Sequence, residues 1–148
     1  VRRFALVVLA ACGQPAPALT AADVRDALTA AGEAVTESAG ELDFRHAAGA
    51  RAYGVKVSVA DGAAHLQTTE LFALREARSD AGVVRLLTLL ATVNHELWGA
   101  AVALDGATGE VSVRAEAQDA AAVAEARERL LRTADALLPR LEAAVGAP

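Results

Sequence analysis

Residues 86 to 114, LLTLLATVNHELWGAAVALDGATGEVSVR, constrain the fold most, because hydrophobic spacing there changes from helical to alternating and then repeats the alternation after a glycine-rich turn. Ser79 or Asp80 can cap a helix on which Val83, Leu86, Leu87, Leu90, Val93 and Leu97 form one apolar stripe. Val102 and Leu104 then alternate with alanines. Asp105, Gly106 and Gly109 reverse the chain, and Val111, Val113 and Ala115 return as a second strand. A helix with so wide an apolar stripe needs a sheet to bury it, and the hairpin beside it is the first part of that sheet.

The rest of the chain supplies matching pieces. Thr20 followed by Asp23 predicts an N-cap with an acidic capping box, and Val24, Ala27, Leu28 and Ala31 share a helical face that ends at Gly32. Leu42 and Phe44 alternate with charged residues. After a turn at Gly49, Tyr53, Val55, Val57 and Val59 keep the two-residue period of a strand up to Asp61 and Gly62. A third strand starts near Ala64 and includes Leu66, but its parity changes by Leu71 and Phe72, which predicts a bulge or a strand end near Thr69. From Asp119 on, Val123, Ala126, Leu130, Ala134, Leu137 and Leu141 recur at helical spacing, and Pro139 is expected to kink or shorten the last turns. The expected fold is α+β in two layers: helix, three strands, helix, two strands, helix, with a five-stranded antiparallel sheet.

The chain of 148 residues suits one domain, placed at residues 20–148, behind a leader and linker at residues 1–19. Arg2 and Arg3 precede an apolar run from Phe4 to Ala11, then Leu9-Ala10-Ala11-Cys12 and a segment with Pro15 and Pro17. This resembles a bacterial lipoprotein signal with its lipobox. The resemblance implies acylation of Cys12 and a lipid-anchored place in the cell envelope; without it, the cytoplasm is the expected setting. The run is too short to span a bilayer as a helix. Cys12 is the sole cysteine, so neither an internal disulfide nor a zinc site needing two cysteines can form within the chain.

A formal charge of -5 and few aromatic residues give phosphate backbones and bases little to hold, so nucleic acid is not expected as a partner. Catalytic signals are weak. His95 and Glu96 begin a zinc-protease pattern, but Gly99 stands where its second histidine belongs. His46 and His65 lie in turn or strand contexts without ligands at metal spacing. Ser58 and Ser112 alternate with valines rather than sitting on a nucleophile elbow. Asp105 is accounted for by turn chemistry, and the charges from Glu125 to Arg132 by a solvated helix face. No catalytic residue, metal ligand or cofactor is expected, and the chain is read as a non-enzyme.

Leu86, Leu87, Leu90, Asn94, Gly99, Val102, Leu104, Asp105, Gly109, Val111 and Arg114, with the element order, resemble the YbjN-type bacterial sensory-transduction regulators. That family's fold resembles the type III secretion chaperones. The resemblance spans roughly Thr20 to Leu141 and implies a dimeric, regulatory or chaperone-like domain that binds another polypeptide. An envelope lipoprotein with a structural or small-ligand role is the alternative. Leu71, Phe72 and Leu74, at the break in alternation, and Trp98, before the next strand, are the candidates for a partner or dimer surface.

Overall fold

Thr20 caps the first helix as expected. Its hydroxyl accepts from the Asp23 N–H while the Asp23 carboxylate accepts from the Thr20 N–H, closing a capping box. The computed structural model describes residues 18–146; the leader, with Cys12, lies outside them. Helix α1 (Ala21–Ala30) buries Val24 and Leu28. It is followed by strands β1 (Thr36–Ser38), β2 (Glu41–Ala48), β3 (Arg51–Ala60), β4 (Ala63–Thr69) and β5 (Phe72–Ala73) and a single 3₁₀ turn at Leu74–Glu76. Helix α2 (Asp80–Glu96), strands β6 (Ala100–Leu104) and β7 (Glu110–Ala117), and helix α3 (Ala120–Gly146) complete the order.

All strand pairings are antiparallel, so the α+β class holds, but the described residues form seven strands rather than five. The two additions are the shortest. β1 is exposed at all three positions, so it carries no hydrophobic alternation to read. β5 is the continuation of β4 past the predicted break. Gln67 pairs with Arg114 and Phe72 with Val111, so four residues of one chain face two of the other, with Glu70 in the left-handed region at φ 58°. The Thr68 hydroxyl fills the gap by accepting from the buried Val113 N–H at 2.9 Å.

The sheet runs β1-β2-β3-β4, then β7 beside both β4 and β5, with β6 as the far edge. Cross-strand register puts Leu42, Val57 and Leu66 in one row and Phe44, Val55 and Thr68 in the next, all buried. Val111, Val113, Ala115 and Ala117 of β7 continue that inner face. Helix α3 packs across β7 and β4, with α1 against it toward β2 and α2 against it toward β6. α3 begins with the Asp119 carboxylate accepting from the Ala122 N–H at 2.9 Å. It runs unbroken through Pro139 to Gly146. The ring removes one donor to the Asp135 carbonyl, while Leu137, Leu138 and Leu141, all buried, hold the helix on the core on both sides of it.

Candidate interaction surfaces

The junction between α2 and β6 carries the most unusual arrangement. Helix α2 turns Leu86, Leu90 and Val93 inward, but Val84 and Leu87 stay exposed at 62% and 42%. Leu97 leaves the helix in an extended conformation, and Trp98 follows at 91% exposure. Val84, Leu87 and Ala91 follow one another at helical spacing on the outside of α2, and Trp98 lies just past the helix end.

Four residues before Trp98, Asn94 does the opposite. Its side-chain amide donates to the Val102 carbonyl and its oxygen accepts from the Val102 N–H, both at 2.8 Å. Val102 stands on the edge strand, and its main-chain groups point away from β7 toward α2. The Asn94 amide therefore occupies the place of a neighbouring strand, and blunts an edge otherwise open to pairing.

The four residues expected at a partner surface separate. Leu71 and Phe72 are buried at 1% and 2% and belong to the core; the Arg51 guanidinium lies over the Phe72 ring, 5.5 Å from its centre. Leu74 is half-buried against that core, and its Cβ lies 3.3 Å from where a Cβ on Gly109 would stand. The Leu74 N–H donates to the Gly109 carbonyl at 2.8 Å. The change of alternation that drew attention to these three comes from the bulge at Thr68–Leu71, which redirects the side chains without exposing them. Trp98 alone of the four presents a large exposed side chain.

A polar group unseen in the sequence joins α3 to the sheet. The buried Tyr53 hydroxyl donates to Asp135 at 2.8 Å, and His46 Nε2 lies 3.1 Å from the other oxygen of the same carboxylate. His46 and Tyr53 are cross-strand partners with ring centres 5.3 Å apart. Burial, and after it the bond to Asp135, holds the Tyr53 phenol well above its usual range. The group acts as a clamp between layers. Asp135 is 82 residues from Tyr53, so no local spacing announces it.

His65 and His95 lie apart from each other. His65 pairs with Glu116 at 3.6 Å on the outer face of the sheet, and His95 is exposed near the end of α2. Among the described residues, no three histidine, cysteine, aspartate or glutamate side chains gather as a metal cluster. Asp105 accepts from the N–H groups of Ala107 and Thr108 at 2.7 and 2.9 Å. The bonds from Thr108 and then Ala107 hold its carboxyl below the usual range. Ser58 lies on the outer face, and Ser112 is buried at 6%.

Among the described residues, no helix lies over the outer face of the sheet. Its register aligns Asp43, Lys56, Gln67, Arg114 and Ala101 in one transverse row, and Ser58, His65 and Glu116 in the row beside it. These rows border an open groove of about 720 Å³ that Gly99, Ala100 and Arg129 also line. Lys56 is 3.2 Å from Glu41, and that pair, with Asp43 nearby, raises the ammonium pKa. No helix among the described residues is long and apolar enough to cross a membrane. Comparison with protein-family models, with curated proteins and with solved structures found no match.

Proposed function

We propose that this domain is a non-enzymatic, regulatory or chaperone-like module that binds another polypeptide, with the outside of α2 and Trp98 as its contact surface. The carrying observation is the 91% exposure of Trp98, just past the end of a helix on which Val84 and Leu87 are also exposed. A tryptophan left in water forgoes much of the burial its ring offers, and tryptophans dominate the energetic centres of protein interfaces. Scattered single apolar side chains need no such account, but here two stand exposed on one helix face and an exposed tryptophan follows the end of the same helix. The reading follows the resemblance of residues 86–114 to the YbjN-type regulators, which implies a domain that binds a polypeptide and pairs with a second copy. Anchoring through Cys12 belongs to the same proposal and places the patch at the membrane surface in the cell envelope.

The groove on the outer face favours a second reading, an envelope protein with a small-ligand role, because its volume lies in the range of small-molecule sites. The exposed apolar stripe favours the first.

Light scattering at two concentrations, with a Trp98→Ser variant beside the unaltered chain, tests the proposal. The expected result is a mass that rises with concentration, or capture of a specific polypeptide, with either one weakened about tenfold in the variant, as for a central interface tryptophan. A folded variant with unchanged mass and unchanged capture overturns it. Phe72→Ser is not a usable companion, since Phe72 is core and its loss destabilises the fold.

A further inference from the structure

Helix α2 differs from α3 in what it shows to water. On α3, Glu125, Glu128, Arg132 and Arg140 are exposed. Between Asp80 and His95, α2 carries a single charge, Arg85, and that guanidinium turns inward to donate to the Ala144 carbonyl at 2.9 Å. The exposed residues of this stretch include Val84, Leu87, Thr88 and Ala91. Thr88 donates its hydroxyl to the Val84 carbonyl at 2.9 Å, so the one polar side chain of these four has its proton engaged within the helix. Steps of three and four place Asp80, Val84, Leu87, Thr88, Ala91 and His95 on one side of α2, with the buried Leu86, Leu90 and Val93 on the other.

That side is its own complement when a second copy lies antiparallel to it. A twofold axis between residues 87 and 88 sets Val84 against the partner's Ala91, large against small, and Asp80 against the partner's His95, an acid against an imidazole, with both matches repeated by symmetry. Leu87 of each copy meets Leu87 of the other at the axis. A parallel pair would set Asp80 on Asp80 and Val84 on Val84 instead. Asp80 and His95 make no side-chain bond of their own among the described residues, and neighbouring charges do not cancel the match. Glu96 stands about 100° further round the helix and is held by Arg140 of α3 at 3.2 Å. Arg78, exposed before the helix begins, and Trp98, exposed after it ends, fall outside the helical contact and come to the same end of the pair.

We infer that α2 pairs with α2 of a second copy of this chain, antiparallel, about an axis between residues 87 and 88. The inference rests on the reading of α2 as the contact surface and names its occupant. A different polypeptide would have to supply a base opposite Asp80, an acid opposite His95 and a bulky apolar group opposite Ala91. A second copy carries all three by symmetry. The spacing of three and four suits helices that cross at about 20°, with Val84 and Leu87 as the side chains that interdigitate. A contact between two helices is small, so the pair is weak and depends on concentration.

Sedimentation equilibrium of the full chain from micromolar to millimolar concentration tests it. The expected result is a mass that climbs toward that of two chains, with the dissociation constant raised about tenfold or more in Ala91→Glu, which sets a charge against the partner's Val84. Ala91 is exposed in the single chain, so circular dichroism and melting of that variant should be unchanged. Asp80→Lys and His95→Glu each spoil the match at both ends and are expected to weaken pairing about three- to tenfold, whereas the double variant Asp80→Lys with His95→Glu restores opposite charges and should return to within about threefold of the unaltered chain. A double variant no better than the weaker single one overturns the antiparallel register. A dimer indifferent to Ala91→Glu places the contact elsewhere and also overturns the inference. A mass of one chain at every concentration, with a polypeptide still captured and that capture weakened in Trp98→Ser, overturns the inference while leaving the reading of α2 as a contact surface in place.

Discussion

On β4, the neighbours Leu66 and Gln67 point to opposite faces of the same sheet and live in different solvents. Leu66 is 1% exposed between Val57 and Ala115, under the helices. Gln67 sits between Lys56 and Arg114, and its amide has no protein partner among the described residues. The inner face is held by displacement of water and close packing, so every atom removed is felt. The outer face is held by backbone pairing and by exposed ion pairs such as Lys56–Glu41 and His65–Glu116, while Ser58, Gln67 and Thr69 there bond to no protein group among the described residues. The difference separates what stability requires from what recognition can use.

The sharpest way to break that comparison is to truncate on each face. Leu66→Ala is expected to cost about 2–5 kcal/mol, the usual range for a buried leucine whose surroundings relax incompletely. Gln67→Ala, one residue away, is expected to stay within about 0.5 kcal/mol. Urea unfolding of the two variants checks this, with comparable slopes required for the comparison. Similar losses at both positions would mean that the outer face is also packed against something.

The clamp of Tyr53 and Asp135 comes next, because it joins α3 to the sheet through a buried phenol. Asp135→Ala leaves the buried phenol without its acceptor and is expected to cost about 1–3 kcal/mol; Tyr53→Phe, which removes the donor as well, should cost less. The same contact predicts a pH limb. The folded phenol has a raised pKa, so its contribution is complete below the free phenol value of about 10 and is lost as pH rises beyond it. Alkaline unfolding followed by circular dichroism should therefore be steeper in the unaltered chain than in Tyr53→Phe. Parallel curves would show that the phenol is not held protonated by the fold.

Asn94 tests the sheet edge rather than either face. Replacing it by alanine strips Val102 of both of its side-chain bonds, with an expected loss of about 1–2 kcal/mol. It also leaves β6 with an edge open to another strand, so association that grows with concentration and persists when Trp98 is replaced is the second expected outcome. Loss of stability without new association would show that α2 itself covers the edge.

How much of this was legible in the chain depends on whether the governing contact is local. Alternation of Val55, Val57 and Val59 marked β3, and the parity break after Leu66 marked the bulge, because strand period and its interruption are carried by neighbours in sequence. β1 escaped because Thr36, Glu37 and Ser38 are all exposed, and an edge strand with no buried side bears no pattern. Leu71 and Phe72 were misplaced for the opposite reason: the bulge changes their parity while the core keeps them. Trp98 stood out because a lone tryptophan just past a helix end is visible by itself. The row of Lys56, Gln67 and Arg114 is invisible until the register of three strands is known, and Asn94 carries no hint that its amide will serve an edge.

The smallest expected effect lies in the turn between β6 and β7, where a charge is bonded to backbone at the solvent boundary. Asp105 gathers the N–H groups of Thr108 and Ala107, which lowers its pKa in the folded chain. A carboxyl lowered in this way contributes fully above its unfolded value of about 3.9, and that contribution is lost as pH falls through the folded value. Asp105→Asn keeps an oxygen for the same donors but no charge, so the variant should be slightly less stable at neutral pH and should converge on the unaltered chain in acid. Melting temperatures at neutral pH and at a pH below the folded value measure the gap directly. A gap that persists in acid would assign the turn's preference to the shape of the acceptor and remove charge from the account.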